Sequence, residues 1–159
     1  AVKLASNENP RGVSQLVLTA LREAEAEVPR YPDGSAIMLK KGLENFLGVE
    51  QTRITIGNGS NEVLELLARI FLGPGTESIV SEHSFIVYSL VTKALGGKVV
   101  EIPAKDYGQD LEAILDSITL HTRIIFIANP NNPTGTWVSK SALRDFLKKS
   151  TRGHHRCPR

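Results

Sequence analysis

The sequence predicts an α/β protein with a mainly parallel sheet and helices on both faces, and three observations support this fold class. Short apolar runs at residues 77–81, 98–102 and 123–128 have the continuous hydrophobic character of strands that are covered on both sides. Amphipathic segments separate these runs, so that strand and helix alternate in units of roughly 20 to 25 residues. Glycine and proline mark the turns between units, as in Gly73-Pro74-Gly75.

Composition limits the function classes. The chain has 159 residues, 41% hydrophobic and 23% charged, which is ordinary for one globular domain with a core. No apolar run approaches the roughly 20 residues of a membrane helix, and residues 1–10 lack a signal-peptide pattern. Three of the 19 basic residues lie in residues 150–159, leaving 16 against 17 acidic residues, so the net charge of +2 predicts no nucleic-acid partner. The only cysteine, Cys157, gives no disulfide framework, and we expect a cytoplasmic protein.

The first third of the chain predicts two amphipathic helices. Ser14 is placed to cap a helix that runs to about Glu27, and a second helix is predicted from about Ser35 to Leu47 with Gly48 as its stop. A short strand is expected at Ile54 and Ile56. We divide the chain into an N-terminal segment over residues 1–34, a binding domain over 35–149 and a non-native tail over 150–159.

A glycine-containing loop follows that predicted strand and opens a helix, with the sequence Gly57-Asn58-Gly59-Ser60-Asn61-Glu62. Glycine allows a close backbone approach to an anion, and the first free N–H groups of a helix hold phosphate. A plain strand-to-helix turn with Ser60 or Asn61 as the cap explains the same residues. A dinucleotide fingerprint fits less well, because Glu62 stands where its third glycine is required.

The sequence is organised around Ala128 to Gly135, A-N-P-N-N-P-T-G, directly after an apolar strand. Two prolines and a glycine predict a rigid loop at the carboxyl end of that strand, where open α/β sheets bind ligands. Asparagine and proline are also common in purely structural turns. The helices after residue 100 are predicted to begin at Asp110 and Ser139.

These motifs together resemble the fold-type-I pyridoxal-phosphate (PLP) aminotransferases, and the histidinol-phosphate type in particular, over residues 1 to about 149. The resemblance implies a fragment of the large domain of a PLP-dependent transferase, with PLP as cofactor. It implies that Ser60 and Asn61 hold the cofactor phosphate, that Phe85 stacks on the ring and that Asn132 bonds the ring oxygen. Tyr31 is implied to reach across a homodimer to the phosphate of the other subunit.

The implied activity moves an amino group between glutamate and imidazole-acetol phosphate, in histidine biosynthesis. Small amino-acid and phosphorylated substrates are therefore the expected partners, with no metal. Residues 3–10 resemble the segment that lies over the active-site mouth of this family. His83 departs from the family pattern, which usually has proline there, and a loop histidine is the preferred interpretation.

The resemblance ends near Lys149. The family pattern continues with a strand that ends in an aspartate, which pairs with the cofactor ring nitrogen, and then an S-K pair with the Schiff-base lysine. Residues 150–159 offer neither, and Ser139-Lys140 lies too early to be that pair, so no catalytic residue is predicted and the chain is expected to be inactive. Dropping one base from a back-translation of residues 150–159 permits an apolar strand that ends in an acid, which predicts a frameshift near Lys149.

Three alternatives remain at this stage. The second hypothesis, after the aminotransferase fragment, is a small α/β module, complete as written, that binds a phosphate or nucleotide at Gly57–Asn61. The chain is also compatible with a non-functional fragment that exposes an apolar sheet edge. His154, His155 and Cys157 make a weak zinc site, because a fourth ligand is missing.

Overall fold

The computed structural model describes residues 8–153, and side chains as far as residue 151. The chain divides into two compact units, Ala1–Ile54 and Thr55–Arg159. In the first unit, helix α1 spans Gln15–Ala24, a 3-10 turn follows at Glu25–Glu27, and helix α2 spans Ile37–Leu47. Both predicted helices are confirmed with their caps: the Ser14 side chain accepts from the Val17 N–H, and Gly48 ends α2 with φ 66°.

The second unit has three strands and four helices among the described residues. The strands are β1 (Glu77–Ser81), β2 (Lys98–Ile102) and β3 (Thr122–Ile125). The helices are α3 (Gly59–Phe71), α4 (Val87–Ala94), α5 (Leu111–Asp116) and α6 (Lys140–Gly153). Asp110 and Ser139 act as the predicted caps, since Asp110 accepts from the Glu112 and Ala113 N–H groups and Ser139 Oγ accepts from the Ala142 N–H.

The sheet is parallel, as the alternation of strands and helices predicts, and its strand order is β2-β1-β3. The central strand β1 is buried along its whole length. Its pairing with β3 shifts register between Glu77 and Ser78, so that these residues align with Thr122 and Ile124. Because the strands are parallel, the loops that follow them lie at one edge of the sheet.

Helices cover both faces of the sheet. Ile79 and Ile102 pack with Ile114 of α5 and Phe146 of α6 in one buried cluster. On the opposite face, Ser78 Oγ lies 2.8 Å from Thr92 Oγ1 of α4. The alternation of successive β1 side chains between these two layers accounts for the buried, apolar character of the strand.

The predicted strand at Ile54 and Ile56 is wrong. Residues 54–57 have no regular structure between a 3-10 turn at Gln51–Arg53 and the start of α3. A strand requires a neighbouring strand for its hydrogen bonds, and the described part of the chain contains none paired with this segment. The sheet therefore has three of the four expected strand–helix units.

The predicted division at residues 34 and 149 stays a prediction. The first residues of the expected tail, 150–153, continue α6, while residues 154–159 lie outside the described part of the chain. None of the helices within residues 8–153 has the length and apolar character that crossing a bilayer requires.

Candidate functional site

The amino end of α3 forms one wall of the candidate site. Gly57 is favoured there, because a Cβ would lie 2.9 Å from Val63 Cγ2 and would force that side chain to shift, and Gly59 takes a left-handed φ of 75°. The N-cap of α3 is Asn58 rather than Ser60 or Asn61, and the Glu62 carboxylate accepts from the Asn58 backbone N–H. Ser60 and Asn61 therefore lie in the first turn, whose N–H groups have no intrahelical acceptors.

The loop after β3 forms the second wall. Its peptide bonds Asn129–Pro130 and Asn132–Pro133 are cis. Asn129 closes the base of the loop by two 3.0 Å hydrogen bonds with the backbone of Val138. Inside the loop, the Gly135 N–H donates to Asn131 O at 2.8 Å. Asn132 is thus presented on a loop that is closed at its base and bonded internally.

Aromatic side chains form the third wall. Phe85 lies in the turn between β1 and α4, and its ring meets Tyr88 edge to face at 5.8 Å. Tyr88 in turn stacks on the buried Phe126, with ring centroids 4.6 Å apart. Burial raises the pKa of the Tyr88 hydroxyl, so the ring acts as a neutral aromatic surface at physiological pH.

These three walls enclose one cleft of about 510 Å³, within the usual size range of small-ligand sites. It brings together Ser60, Phe85 and Asn132, which are three of the predicted cofactor-binding residues. In the sequence, Ser60 and Phe85 are 25 residues apart, and Phe85 and Asn132 are 47 residues apart. Asn61 is next to Ser60 on the first turn of α3 but does not line the cleft. The remaining lining residues are Val63, Leu64, Tyr88, Ala128 and Pro130.

Local spacing accounts for several lining residues that the sequence analysis missed. Val63 and Leu64 follow Ser60 by three and four residues, which places them on the same helix face. Tyr88 follows Phe85 by three residues, and its backbone N–H donates to Phe85 O at 3.1 Å. Ala128 and Pro130 flank Asn129 in the loop and contribute apolar side chains to the cleft.

Tyr31 lies in the Ala1–Ile54 unit, and its ring is fully exposed. The turn that follows it is well defined: Asp33 accepts from the Ser35 hydroxyl and from the backbone N–H groups of Ser35 and Ile37. These hydrogen bonds lower the pKa of the Asp33 carboxyl, and the bond from the Ser35 hydroxyl has the largest effect. The role implied for Tyr31 stays a prediction, and the predicted mouth segment over residues 3–10 lies mostly outside the described residues.

Other cavities of the described residues lie away from the predicted site residues, including one of about 440 Å³ along α6. Another of about 440 Å³ is lined by α5 and the end of α6, and one of about 300 Å³ by β3 and the end of α6. Across residues 8–153, no cluster of three or more histidine, cysteine, aspartate or glutamate side chains is placed to hold a metal ion. The tail residues His154, His155 and Cys157 are outside that range.

The fold and the cleft define an α/β domain whose candidate binding site uses the loops at the carboxyl ends of its strands. A family model described as aminotransferase class I and II matches residues 1–156. This chain belongs to the aminotransferase class I and II family, which confirms the resemblance stated from its motifs.

Histidinol-phosphate aminotransferases are prominent among the relatives. Histidinol-phosphate aminotransferase 2 of Pseudomonas fluorescens (strain Pf0-1) is 53% identical over 147 residues, which are 92% of this chain and 40% of that protein. Histidinol-phosphate aminotransferase 1 of Idiomarina loihiensis is 53% identical over 148 residues, covering 93% and 40%. The chain therefore spans about two fifths of the length of the curated relatives it matches.

Solved structures agree with this family. The histidinol-phosphate aminotransferase of Sinorhizobium meliloti, crystallised in complex with pyridoxal-5'-phosphate, matches with a TM-score of 0.86 and 28% identity, over 91% of this chain and 40% of that one. A crystal structure from Erwinia carotovora atroseptica matches with a TM-score of 0.83 and 25% identity, over 89% of this chain and 42% of that one. That protein is assigned as a histidinol-phosphate aminotransferase. The parallel α/β fold is confirmed.

Proposed function

We propose that this chain forms the cofactor-binding part of a PLP-dependent histidinol-phosphate aminotransferase of histidine biosynthesis. The activity would transfer an amino group between glutamate/2-oxoglutarate and histidinol phosphate/imidazole-acetol phosphate. The observation that carries the proposal is the single cleft that joins Ser60, Phe85 and Asn132. Relatives of this name at 53% identity support the choice of substrate.

Each wall of the cleft suits one part of the cofactor. The first turn of α3, with Ser60 and Asn61, would hold the phosphate through backbone N–H groups and the helix dipole. Phe85 would lie against the ring, and the Asn132 amide would donate to the ring oxygen. When bound, pyridoxal phosphate supplies an electron sink for the bond changes of amino-group transfer.

The lining of the cleft supports this division of roles. The described lining side chains are all uncharged, so the free N–H groups at the amino end of α3 are the source of positive potential in the cleft, and the Glu62 carboxylate bonded to the Asn58 N–H offsets part of it. The aromatic and aliphatic surface of Phe85, Tyr88 and Leu64 suits a planar ring. The phosphate, the ring and the ring oxygen of the cofactor therefore each have one wall of the cleft that suits them.

A homodimer and a cytoplasmic location belong to the same proposal. Tyr31 has a fully exposed ring, as expected for a side chain whose contacts lie on another subunit. Tyr31→Phe should therefore weaken phosphate-dependent ligand binding only at protein concentrations where dimers form. Binding titrations on either side of the dimer transition, set by analytical ultracentrifugation, measure this difference.

The test of the cofactor site is a fluorescence titration with pyridoxamine 5'-phosphate. This probe has the ring, oxygen and phosphate of the cofactor but no aldehyde to react with surface lysines. Ser60→Asp places a carboxylate beside the proposed phosphate position and should weaken binding about tenfold or more. An acid in the first turn favours the helix, so the variant should still fold.

Ser141→Asp is the matched control, because Ser141 is exposed, is also the second residue of a helix, α6, and does not line the cleft. It should leave binding unchanged. Pyridoxamine without the phosphate should bind much more weakly than the phosphorylated probe. Absence of saturable binding, or tighter binding of a nucleotide such as AMP, would contradict the proposal, and the second result would favour the small phosphate-binding module.

We also propose that residues 150–159 are a frameshift product. The support is the strand-like sequence, ending in an acid, that the neighbouring frame permits after Lys149. Sequencing the encoding DNA tests it directly, and a neighbouring frame without such an apolar run ending in an acid would refute it.

A further inference from the structure

The loops that follow all three strands are tied together by one closed set of contacts. The Asn131 side-chain amide donates both to His83 O, at 3.1 Å, and to Thr134 Oγ1, at 2.8 Å. Thr134 Oγ1 lies 2.9 Å from Thr136 Oγ1, which donates to Tyr107 O at 3.1 Å. The Tyr107 ring stacks on the His83 ring, with centroids 5.6 Å apart. We call this closed set of contacts the circuit; its members are His83, Asn131, Thr134, Thr136 and Tyr107.

Asn131 is the residue that joins two walls of the cleft in this circuit. His83 belongs to the turn that carries Phe85, and Asn131 immediately precedes Asn132. The Asn131 side chain is 5% exposed, and its backbone N–H also donates to Thr136 O at 2.7 Å. Both N–H groups of its amide are used, whereas its buried Oδ1 has no hydrogen-bond partner.

This arrangement favours a positioning role over simple packing. An apolar side chain of the same size would fill the space without leaving a buried acceptor unpaired. The amide is instead the part of the side chain that reaches a carbonyl 48 residues earlier in the sequence. A bond of this kind fixes the turn that bears Phe85 relative to the loop that bears Asn132.

We propose that Asn131 is a positioning residue that sets the orientation of the ligand ring between Phe85 and Asn132. The proposal rests on the proposed function, since it concerns the same cleft. Asn131 itself touches neither the ring nor the phosphate in this scheme. Its effect passes through the His83 carbonyl on one side and the backbone of Asn132 on the other.

The test uses the 159-residue chain, pyridoxamine 5'-phosphate as probe, and the circular dichroism that the bound ring acquires in its absorption band. Asn131→Leu removes both donors and keeps the branched heavy-atom skeleton of asparagine, with two methyl groups in place of the amide oxygen and nitrogen. We expect about threefold to tenfold weaker binding. At saturating probe we also expect a reduced dichroic signal per bound ligand, which loss of stability alone would not produce below the unfolding transition.

Asn45→Leu is the matched control. Asn45 has the same side chain, but it is exposed on α2 in the Ala1–Ile54 unit and contributes nothing to the lining of the cleft. It should leave the signal per bound ligand unchanged. Thr136→Val removes the hydroxyl that contacts Thr134 and donates to Tyr107 O, and it leaves the side chain of Asn131 and its bond to His83 O in place. It gives a milder variant in case Asn131→Leu does not fold, and we expect it to change the signal in the same direction.

A double-mutant cycle supplies an independent measurement. If Asn131 acts through the turn that carries Phe85, Asn131→Leu should weaken binding less in a Phe85→Leu background than in the wild type. Additive effects together with an unchanged dichroic signal would overturn the positioning role. Failure of the wild type to bind the probe would instead overturn the proposed function, so the two outcomes are distinguishable.

Discussion

Three residues in the loops around the cleft depart from ordinary local rules. His83 has a left-handed φ of 57°, which proline, with its φ fixed near −65°, does not adopt. The resemblance leads us to expect proline at this position, so the turn before Phe85 has its own geometry in this chain.

Asn131 and Gln109 each leave a buried side-chain oxygen without a hydrogen-bond partner, although Gln109 Nε2 donates to Ala128 O at 2.6 Å. Unpaired buried acceptors cost about 1–3 kcal/mol each, and both lie in loops around the cleft rather than in the core.

Phe85 gives a prediction at this scale. Phe85→Leu should weaken pyridoxamine 5'-phosphate binding about twofold to tenfold, because ring stacking contributes roughly 0.5–1.5 kcal/mol beyond buried area. Competition by inorganic phosphate should be unaffected, since the amino end of α3 is unchanged. A titration of each variant with and without inorganic phosphate measures both values. Equal losses for the ring ligand and for phosphate would mean that the substitution disturbs the whole cleft.

Glu77 gives a second residue-scale prediction, on stability. This buried carboxylate at the start of β1 accepts from Thr119 and Thr122 and faces Lys98 Nζ at 3.8 Å. The Thr119 hydroxyl, followed by the Thr122 hydroxyl and the positive charges of Lys98 and His121, lowers the pKa of Glu77, and burial opposes this shift. The pKa of Glu77 is lower in the folded state than in the unfolded state. Its ionised carboxylate therefore contributes fully to the free energy of unfolding above the unfolded pKa of 4.5, and this contribution is lost as the pH falls through the folded pKa.

Glu77→Gln should therefore lower the free energy of unfolding by about 1–3 kcal/mol at pH 7 and by less as the pH falls below about 4. Urea unfolding at a series of pH values measures the difference from the wild type. Glu101→Gln on the exposed side of β2 is the control and should change little. A difference for Glu77→Gln that does not shrink in acid would show that its charge is not what stabilises the strand.

At the scale of elements, local chemistry was sufficient to predict much of the fold. The bounds of β1 and β2 agree with the sequence prediction, because glycine turns flank short apolar runs, and Ser14, Asp110 and Ser139 are recognisable caps. The strand at Ile54 and Ile56 failed because pairing depends on distant residues. The circuit through Asn131 could not be predicted from the sequence either, because its contacts join segments that are 24 to 48 residues apart.

The cap of α5 gives a prediction for one element. Asp110 Oδ1 accepts from two N–H groups of a helix that contributes the buried Ile114 to the core. Asp110→Ala should lower the free energy of unfolding by about 1 kcal/mol, a fall in Tm of roughly 2–4 °C. Asp110→Asn retains the acceptor and should lose much less. Thermal unfolding followed by circular dichroism compares the two, and equal losses would show that charge rather than capping matters.

At the scale of the whole molecule, burial is distributed unequally between the two compact units. Every described residue that is buried belongs to the Thr55–Arg159 unit, which has the sheet and its core cluster. In the Ala1–Ile54 unit, α1 and α2 expose large apolar side chains such as Leu16, Met38 and Phe46. Few buried apolar contacts mean a low free energy of local opening, so the first unit should open far more often than the second.

Limited proteolysis with trypsin tests whether the Ala1–Ile54 unit opens more often than the Thr55–Arg159 unit. Cleavage after Arg22, Arg30 and Lys40 should precede cleavage after Lys98 in β2 and Arg123 in β3, because a protease needs a locally unfolded segment and the strands open only with the core. Mass spectrometry of early time points identifies the order, and casein cleaved in parallel calibrates the protease. A saturating probe bound in the cleft should slow cleavage in the second unit and leave the first unit unaffected at concentrations where the chain is monomeric. Equal cleavage rates in the two units without the probe would show that α1 and α2 are held by contacts that their exposure does not reveal.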